Sequence, residues 1–295
     1  MASELAKRVA VALVGIPFIL TFVYLGGWYF GGLLALIAAL GALEFFRLAR
    51  QKDIAPFDYL GATAAALIVL VAAGWNATEA QSILWNGTVA LIIIVGTLAI
   101  WQRGVERRPL STIAVTVAGA LFVGGTLAYA VWLRELPERS TALALPRLDL
   151  SVAWRGTVLV LFPLVITWIN DSLAFFVGRA IGRNKLIPRV SPGKTVEGAI
   201  AGVVGGVAVS VALGVLLIGP ATGIDAAVAV WALVGALVAA AAQLGDLMES
   251  LLKREAGVKD SGALLPGHGG VLDRFDALFF AIPISYWLLR WMGLQ

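Results

Sequence analysis

Between Ser250 and Asp276 the chain reads SLLKREAGVKDSGALLPGHGGVLDRFD, a polar stretch set between two long apolar segments. It gathers Lys253, Arg254, Lys259, Asp260, His268, Asp273, Arg274 and Asp276, a mixture suited to phosphate and a metal ion. Just upstream, Asp246, Glu249, Ser250 and Lys253 are spaced to share one face of a helix. Asp273 and Asp276 are three apart at the start of the last apolar segment and are expected to share a face there. Carboxylates delivered from two helix ends can hold a hard cation such as Mg²⁺, which takes one or two carboxylates, several waters and substrate phosphate oxygens. Between them Pro266-Gly267-His268-Gly269-Gly270 supplies a turn whose glycines admit backbone conformations and ligand approach barred to larger residues. His268 is the sole histidine, open to a role as phosphate donor, proton carrier or plain loop residue. Zinc is disfavoured without further His or Cys.

Two other constellations point the same way. In TWINDSLAFFVGR, Asn170 and Asp171 fall inside an apolar run. A carboxylate within a membrane span costs about 2.5–3.5 kcal/mol, so Asp171 should face a polar cavity or a partner. The segment Arg189-Val-Ser-Pro-Gly-Lys-Thr-Val-Glu197 precedes the next run. Ser191 there is expected to cap a helix and Pro192 to fill its first turn, leaving free N–H groups beside Lys194. Such an end favours anions. The fragment Gly193-Lys194-Thr195 is not a Walker loop, because that motif needs glycine five residues earlier and Pro188 stands there.

The elements that must position these groups are membrane helices. Sixty per cent of the 295 residues are hydrophobic, only 14% are charged, and the mean hydropathy is +0.92, well outside the range of soluble domains. Apolar runs long enough to cross about 30 Å of hydrocarbon as helix occur near 8–25, 28–46, 59–75, 82–101, 111–133, 157–178, 197–219, 226–245 and 272–292. The expected fold is thus all-α: a polytopic integral membrane protein of about nine transmembrane helices. The first run is read as a retained anchor, since it is long and lacks a clean cleavage site. With nine spans, 17 of the 22 Lys and Arg fall on the side of the N-terminus, which the positive-inside rule makes cytoplasmic. The net charge of +4 therefore reflects topology and gives no reason to invoke nucleic acid. With no cysteine, disulfides and thiolate metal sites are excluded. Residues 1–134 read as scaffold helices 1–5 and 135–156 as an extracytoplasmic connection. Helices 6–9 with their cytoplasmic loops, 157–295, hold nearly all the unusual chemistry.

The pattern S-x-x-K-R-x-x-x-x-K-D-x-G-x-x-x-P-G-H-G-G-x-x-D-R-x-D resembles the hallmark of the phosphatidate cytidylyltransferases, also called CDP-diacylglycerol synthases. The likeness extends back to Asp246, SPGKTVEG and NDSLAFFVGR; in the N-terminal half it rests on hydropathy and on Glu44-Phe45. Gly193 stands where family members often carry Lys. The resemblance implies transfer of a cytidylyl group from CTP to phosphatidic acid, giving CDP-diacylglycerol and pyrophosphate, with Mg²⁺ and room for a second cation. It implies Asp171, Asp246, Asp273 and His268 as catalytic residues, and Asp246, Asp273, Asp171 and Asp276 as metal ligands. Substrate contacts are expected from Ser191, Lys194, Thr195, Glu197, Lys253, Arg254, Lys259, Asp260, Gly269, Gly270 and Arg274. Partners are then CTP, phosphatidic acid and the bilayer, with a homodimer compatible. The location is a cell membrane, crossed many times, with the active site facing the cytoplasm. A CTP-dependent membrane lipid kinase would use similar phosphate chemistry, and an ion-coupled transporter would use Asp171 and Glu44 as coupling sites.

Overall fold

The computed structural model describes residues 2–139, 150–262 and 269–293. His268, Pro266 and Gly267 lie outside the described residues. Almost every described element is helical, as expected where hydrocarbon forces each backbone polar group to be satisfied within its own segment. In chain order the helices are α1 (Ala2–Leu25), α2 (Gly27–Arg50), α3 (Asp58–Gly74), α4 (Ala77–Gln102), α5 (Pro109–Ala120) and α6 (Thr126–Arg139). They continue as α7 (Val152–Ile181), α8 (Val196–Leu213), α9 (Gly219–Thr222), α10 (Val228–Ala256), α11 (Leu272–Phe275) and α12 (Leu278–Trp291). One π-turn, Leu121–Gly125, joins α5 to α6 and another, Gly214–Ile218, joins α8 to α9.

Among the described residues, six continuous segments are long and apolar enough to span a bilayer: Gly27–Arg50, Ala77–Gln102, Pro109–Pro137, Val152–Ile181, Val196–Thr222 and Val228–Ala256. Asp58–Gly74 and the apolar part of α1, Gly15–Leu25, are shorter apolar helices. The protein is therefore an all-α multi-pass membrane protein. Large exposed side chains such as Trp85, Ile93 and Trp101 on α4 are what a lipid-facing surface requires, since lipid tails solvate them as well as a core would.

Two sequence expectations are corrected. The segment after α7 is not yet helix: β1 (Lys185–Ile187) pairs antiparallel with β2 (Ser191–Thr195), joining Lys185 to Thr195 and Ile187 to Ser191. The register is irregular between these pairs, and Pro192, which has no N–H to give the ladder, falls in the irregular part. Ser191 is thus a strand residue, and the cap of α8 is Thr195, whose hydroxyl accepts from the Gly198 N–H at 3.2 Å. Second, Asp273 and Asp276 do not share a helix face. α11 ends at Phe275 and α12 begins at Leu278.

The chain divides into two compact units. The first comprises residues 1–132 and 255–274, so the described residues on either side of the glycine-rich turn, Ser261–Gly262 and Gly269–Arg274, belong with the N-terminal helices. Within it, α2 and α3 lie side by side, with Phe46 and Ala65 fully buried. The second comprises residues 133–254 and 275–295, with α7 against both α8 and α12. Its core includes Trp231 and Phe162, whose rings meet edge to face.

Candidate active site

Within the second unit a cavity of about 590 Å³ is lined by α7, the β1–β2 ribbon, α8 and α10. Its polar wall contains Asp171 and Arg179 from α7, Lys185, Ser191, Lys194 and Thr195 from the ribbon, and Gln243 and Asp246 from α10. The ribbon explains how Lys194 enters: Thr195 caps α8, and the residue before it extends over the cavity. There Lys194 Nζ lies 2.7 Å from Asp246 Oδ2, both side chains being about one-quarter to one-third exposed. Ser250, one turn along α10, donates to Asp246 Oδ1 at 3.3 Å. Asp171 is within electrostatic reach of both Asp246 and Lys194. Asp276 sits beside Glu249 and within reach of Asp246, and its Oδ1 accepts from the Ala277 N–H at 2.7 Å.

A polar relay sets the direction of Asp171. Gln243 Nε2 donates to Ala199 O at 2.9 Å and to Asn170 Oδ1 at 2.8 Å, and Asn170 Nδ2 donates to Asp171 Oδ1 at 3.0 Å. The relay ties α8, α10 and α7 together, and Asn170 is wholly buried. Gly202 makes room for it: a β-carbon there would lie 2.6 Å from Asn170 Oδ1 and 2.9 Å from Gln243 Nε2. Gln243→Leu would leave Asn170 Oδ1 and Ala199 O without this donor. Its expected effect is a loss of ~1–3 kcal/mol of stability, read as a lowered melting temperature in detergent.

The remaining sequence-derived residues divide by location. Asp171, Ser191, Lys194, Thr195 and Asp246 meet in the cavity. Glu197, on the first turn of α8, accepts from the Arg183 N–H at 3.1 Å and from Asn184 Nδ2 at 2.8 Å, so its carboxylate pins the end of α7. Lys253 pairs with Glu249 at 3.0 Å, and Arg254 Nε donates to Val190 O at 3.3 Å, steadying the ribbon turn. Lys259, Asp260, Gly269, Gly270, Asp273 and Arg274 belong to the first unit. Lys259 and Asp260 are exposed there. Asp273 Oδ2 accepts from Ser261 N at 2.9 Å, Ser261 Oγ at 2.8 Å and Gly270 N at 2.8 Å.

Sequence reasoning passed over Gln243, Lys185 and the cavity position of Arg179. The signal for Gln243 was present, as a lone amide in the run VAAAAQLGD whose donors had to be satisfied somewhere. For Lys185 there was none, since cytoplasmic basic residues abound.

The donor set fits a hard cation. Asp171 and Asp246 present carboxylates from two helices to one cavity. Among the described residues no group of three or more His, Cys, Asp or Glu is arranged to hold a metal alone. Two carboxylates with substrate oxygens completing the shell is the arrangement expected of Mg²⁺.

Comparison with known proteins bears on this chemistry. The profile of the Cytidylyltransferase family matches residues 6–292. Proteins named phosphatidate cytidylyltransferase are similar throughout: one from Pseudomonas aeruginosa is 37% identical over 297 residues, covering 97% of each chain. Another, from Synechocystis, is 33% identical over 297 residues and 96% of each. A third, from Bacillus subtilis, is 30% identical over 256 residues, 86% of this chain and 87% of its own. With a match that covers both units and every residue of the cavity, the chain belongs to the cytidylyltransferase family.

Proposed function

We propose that the protein transfers the cytidylyl group of CTP to phosphatidic acid, forming CDP-diacylglycerol and releasing pyrophosphate for phospholipid synthesis. The observation that carries this reading is the Lys194–Asp246 pair beside Asp171 in one cavity, in a chain matched along nearly its whole length by the family. The phosphate oxygen of phosphatidate attacks the α-phosphorus of CTP, and the bond to the β-phosphate breaks as pyrophosphate leaves. Because the nucleophile is already anionic, the demand on the protein is electrostatic: two anions must meet and charge builds on the leaving group. Lys194 answers that demand inside the cavity, with Arg179 and Lys185 lining the same wall. Asp171 and Asp246 would hold Mg²⁺, with Asp276, within reach of Asp246, as a further ligand. When bound, the ion screens phosphate charge and stabilises the departing pyrophosphate. Asn170 and Gln243 keep Asp171 turned toward its task. In the first unit, Asp273 serves as a further carboxylate of the reaction, with Gly269, Gly270, Lys259 and Arg274 in its loop; His268 retains its supporting role.

The chain crosses the cell membrane nine times with its N-terminus in the cytoplasm, a reading supported by the one-sided distribution of Lys and Arg. CTP then enters from the cytosol and phosphatidate from the leaflet. The test is to purify the full chain in detergent, supply CTP and phosphatidate with Mg²⁺, and identify both products. Pyrophosphate with CDP-diacylglycerol is expected. Release of CDP with a phosphorylated lipid would replace this reading by a kinase.

A further inference from the structure

The first unit holds a buried carboxylate that the mechanism above leaves unused. Glu44, on α2, is only 2% exposed, in a helix long and apolar enough to span the membrane. Its Oε2 accepts from the Leu272 N–H at 2.9 Å and lies 3.2 Å from Ser261 Oγ, whose single proton it shares with Asp273. Its Oε1 is buried with no hydrogen-bond partner among the described residues. Ser261, itself buried, lies between two carboxylates, since the same hydroxyl is 2.8 Å from Asp273 Oδ2. Asp273 in turn takes the N–H groups of Ser261 and Gly270. Both ends of the glycine-rich loop are therefore closed on one chain of contacts, Glu44 to Ser261 to Asp273. Two motif glycines are explained by it: a β-carbon at Gly262 would overlap Glu44 Oε1, and one at Gly270 would overlap Glu44 Oε2 and Ser261 Oγ. Close approach of the carboxylate is what forbids a side chain at either position.

We infer that Glu44 is a positioning residue, whose buried carboxylate clamps the base of the Ser261–Asp273 loop and so directs the Asp273 carboxylate for the reaction. A helix of the apparent scaffold thus reaches into the chemistry through a single side chain. The inference rests on the proposed part of Asp273 in cytidylyl transfer. Glu44 makes no contact with substrate; it acts through Asp273, a metal ligand by the family resemblance, as outer partners of metal-site carboxylates do.

The test compares full-length wild type, Glu44→Gln and Glu44→Asp in detergent. Glu44→Gln keeps size and shape but loses the charge. It is expected to remain folded, to lower kcat roughly tenfold and to raise the Mg²⁺ concentration for half-maximal activity about tenfold, with KM for CTP moved less. Glu44→Asp should recover part of the loss. Hydrogen exchange gives a readout independent of turnover: the Ser261, Gly270 and Leu272 amides should exchange faster in Glu44→Gln while those of α3 are unchanged. A folded Glu44→Gln with wild-type kcat and Mg²⁺ dependence, or with unchanged exchange at those amides, overturns the inference. If Glu44→Gln does not fold, Gly262→Ala presses a methyl group on the retained carboxylate; it should show the same shifts, and wild-type behaviour there overturns it equally. Wild type that makes no CDP-diacylglycerol would remove the functional reading, and the exchange comparison would still decide whether Glu44 holds the loop.

Discussion

Asp246→Asn is expected to lower pyrophosphate release from CTP and phosphatidate by ~10²–10³-fold, the range seen when one preorganised electrostatic group is removed from a reacting centre. The substitution preserves shape and leaves Oδ1 able to accept from Ser250. What it removes is charge, at the point where Asp246 meets Lys194 and comes within reach of Asp171 and Asp276. Stability should hold or rise, because gathering like charges opposes folding and one of them is gone. A normal melting temperature beside a collapsed rate would therefore separate chemistry from folding. Titrating Mg²⁺ gives the companion measurement: wild type stripped of Mg²⁺ should fall to a similar level, and added Mg²⁺ should restore wild type but not the variant. An Asp246→Asn enzyme with near-normal turnover would remove Asp246 from the metal-holding role.

Lys194→Met should cut kcat/KM for CTP by about 10²-fold, through loss of a cation set where negative charge accumulates. The Lys194–Asp246 pair is only about one-quarter to one-third exposed and Lys194 Nζ is itself buried, so a melting temperature measured beside the rate separates loss of the cation from loss of stability. Lys194→Arg keeps the charge but changes the donor geometry, so it should restore only part of the rate. In the double variant Lys194→Met/Asp246→Asn the losses should fall short of additive, since contacting residues act as one unit. Strict additivity would mean that the two side chains work on separate steps.

How legible these features were depends on the range of the forces involved. Hydrophobic runs reported the helices well, because burial of a backbone in hydrocarbon is decided residue by residue along the segment. The shared face of Asp246, Glu249, Ser250 and Lys253 was also legible, and α10 displays it as one uninterrupted helix. The capping assignment failed at Ser191 because a local preference competed with strand pairing to Lys185–Ile187, a partnership formed across a turn. The break between α11 and α12 was equally hidden: no Gly or Pro marks it, and its first half is engaged by Asp273 with Ser261 and Gly270.

Sequence alone established a membrane protein of helices, the chemical character of its polar segments, and the family that those segments resemble, because each of these is a property of composition or of short-range spacing. It could not say which carboxylates stand together. Asp171 and Asp246 are 75 positions apart in the chain and reach one cavity only through the packing of α7, α8 and α10. Nor could it show that the glycine-rich loop closes on α2. Glu44 and Leu272 are separated by 228 residues, and a hydrogen bond over that separation leaves no periodic trace; it exists because a buried carboxylate must find donors, and the loop supplies them.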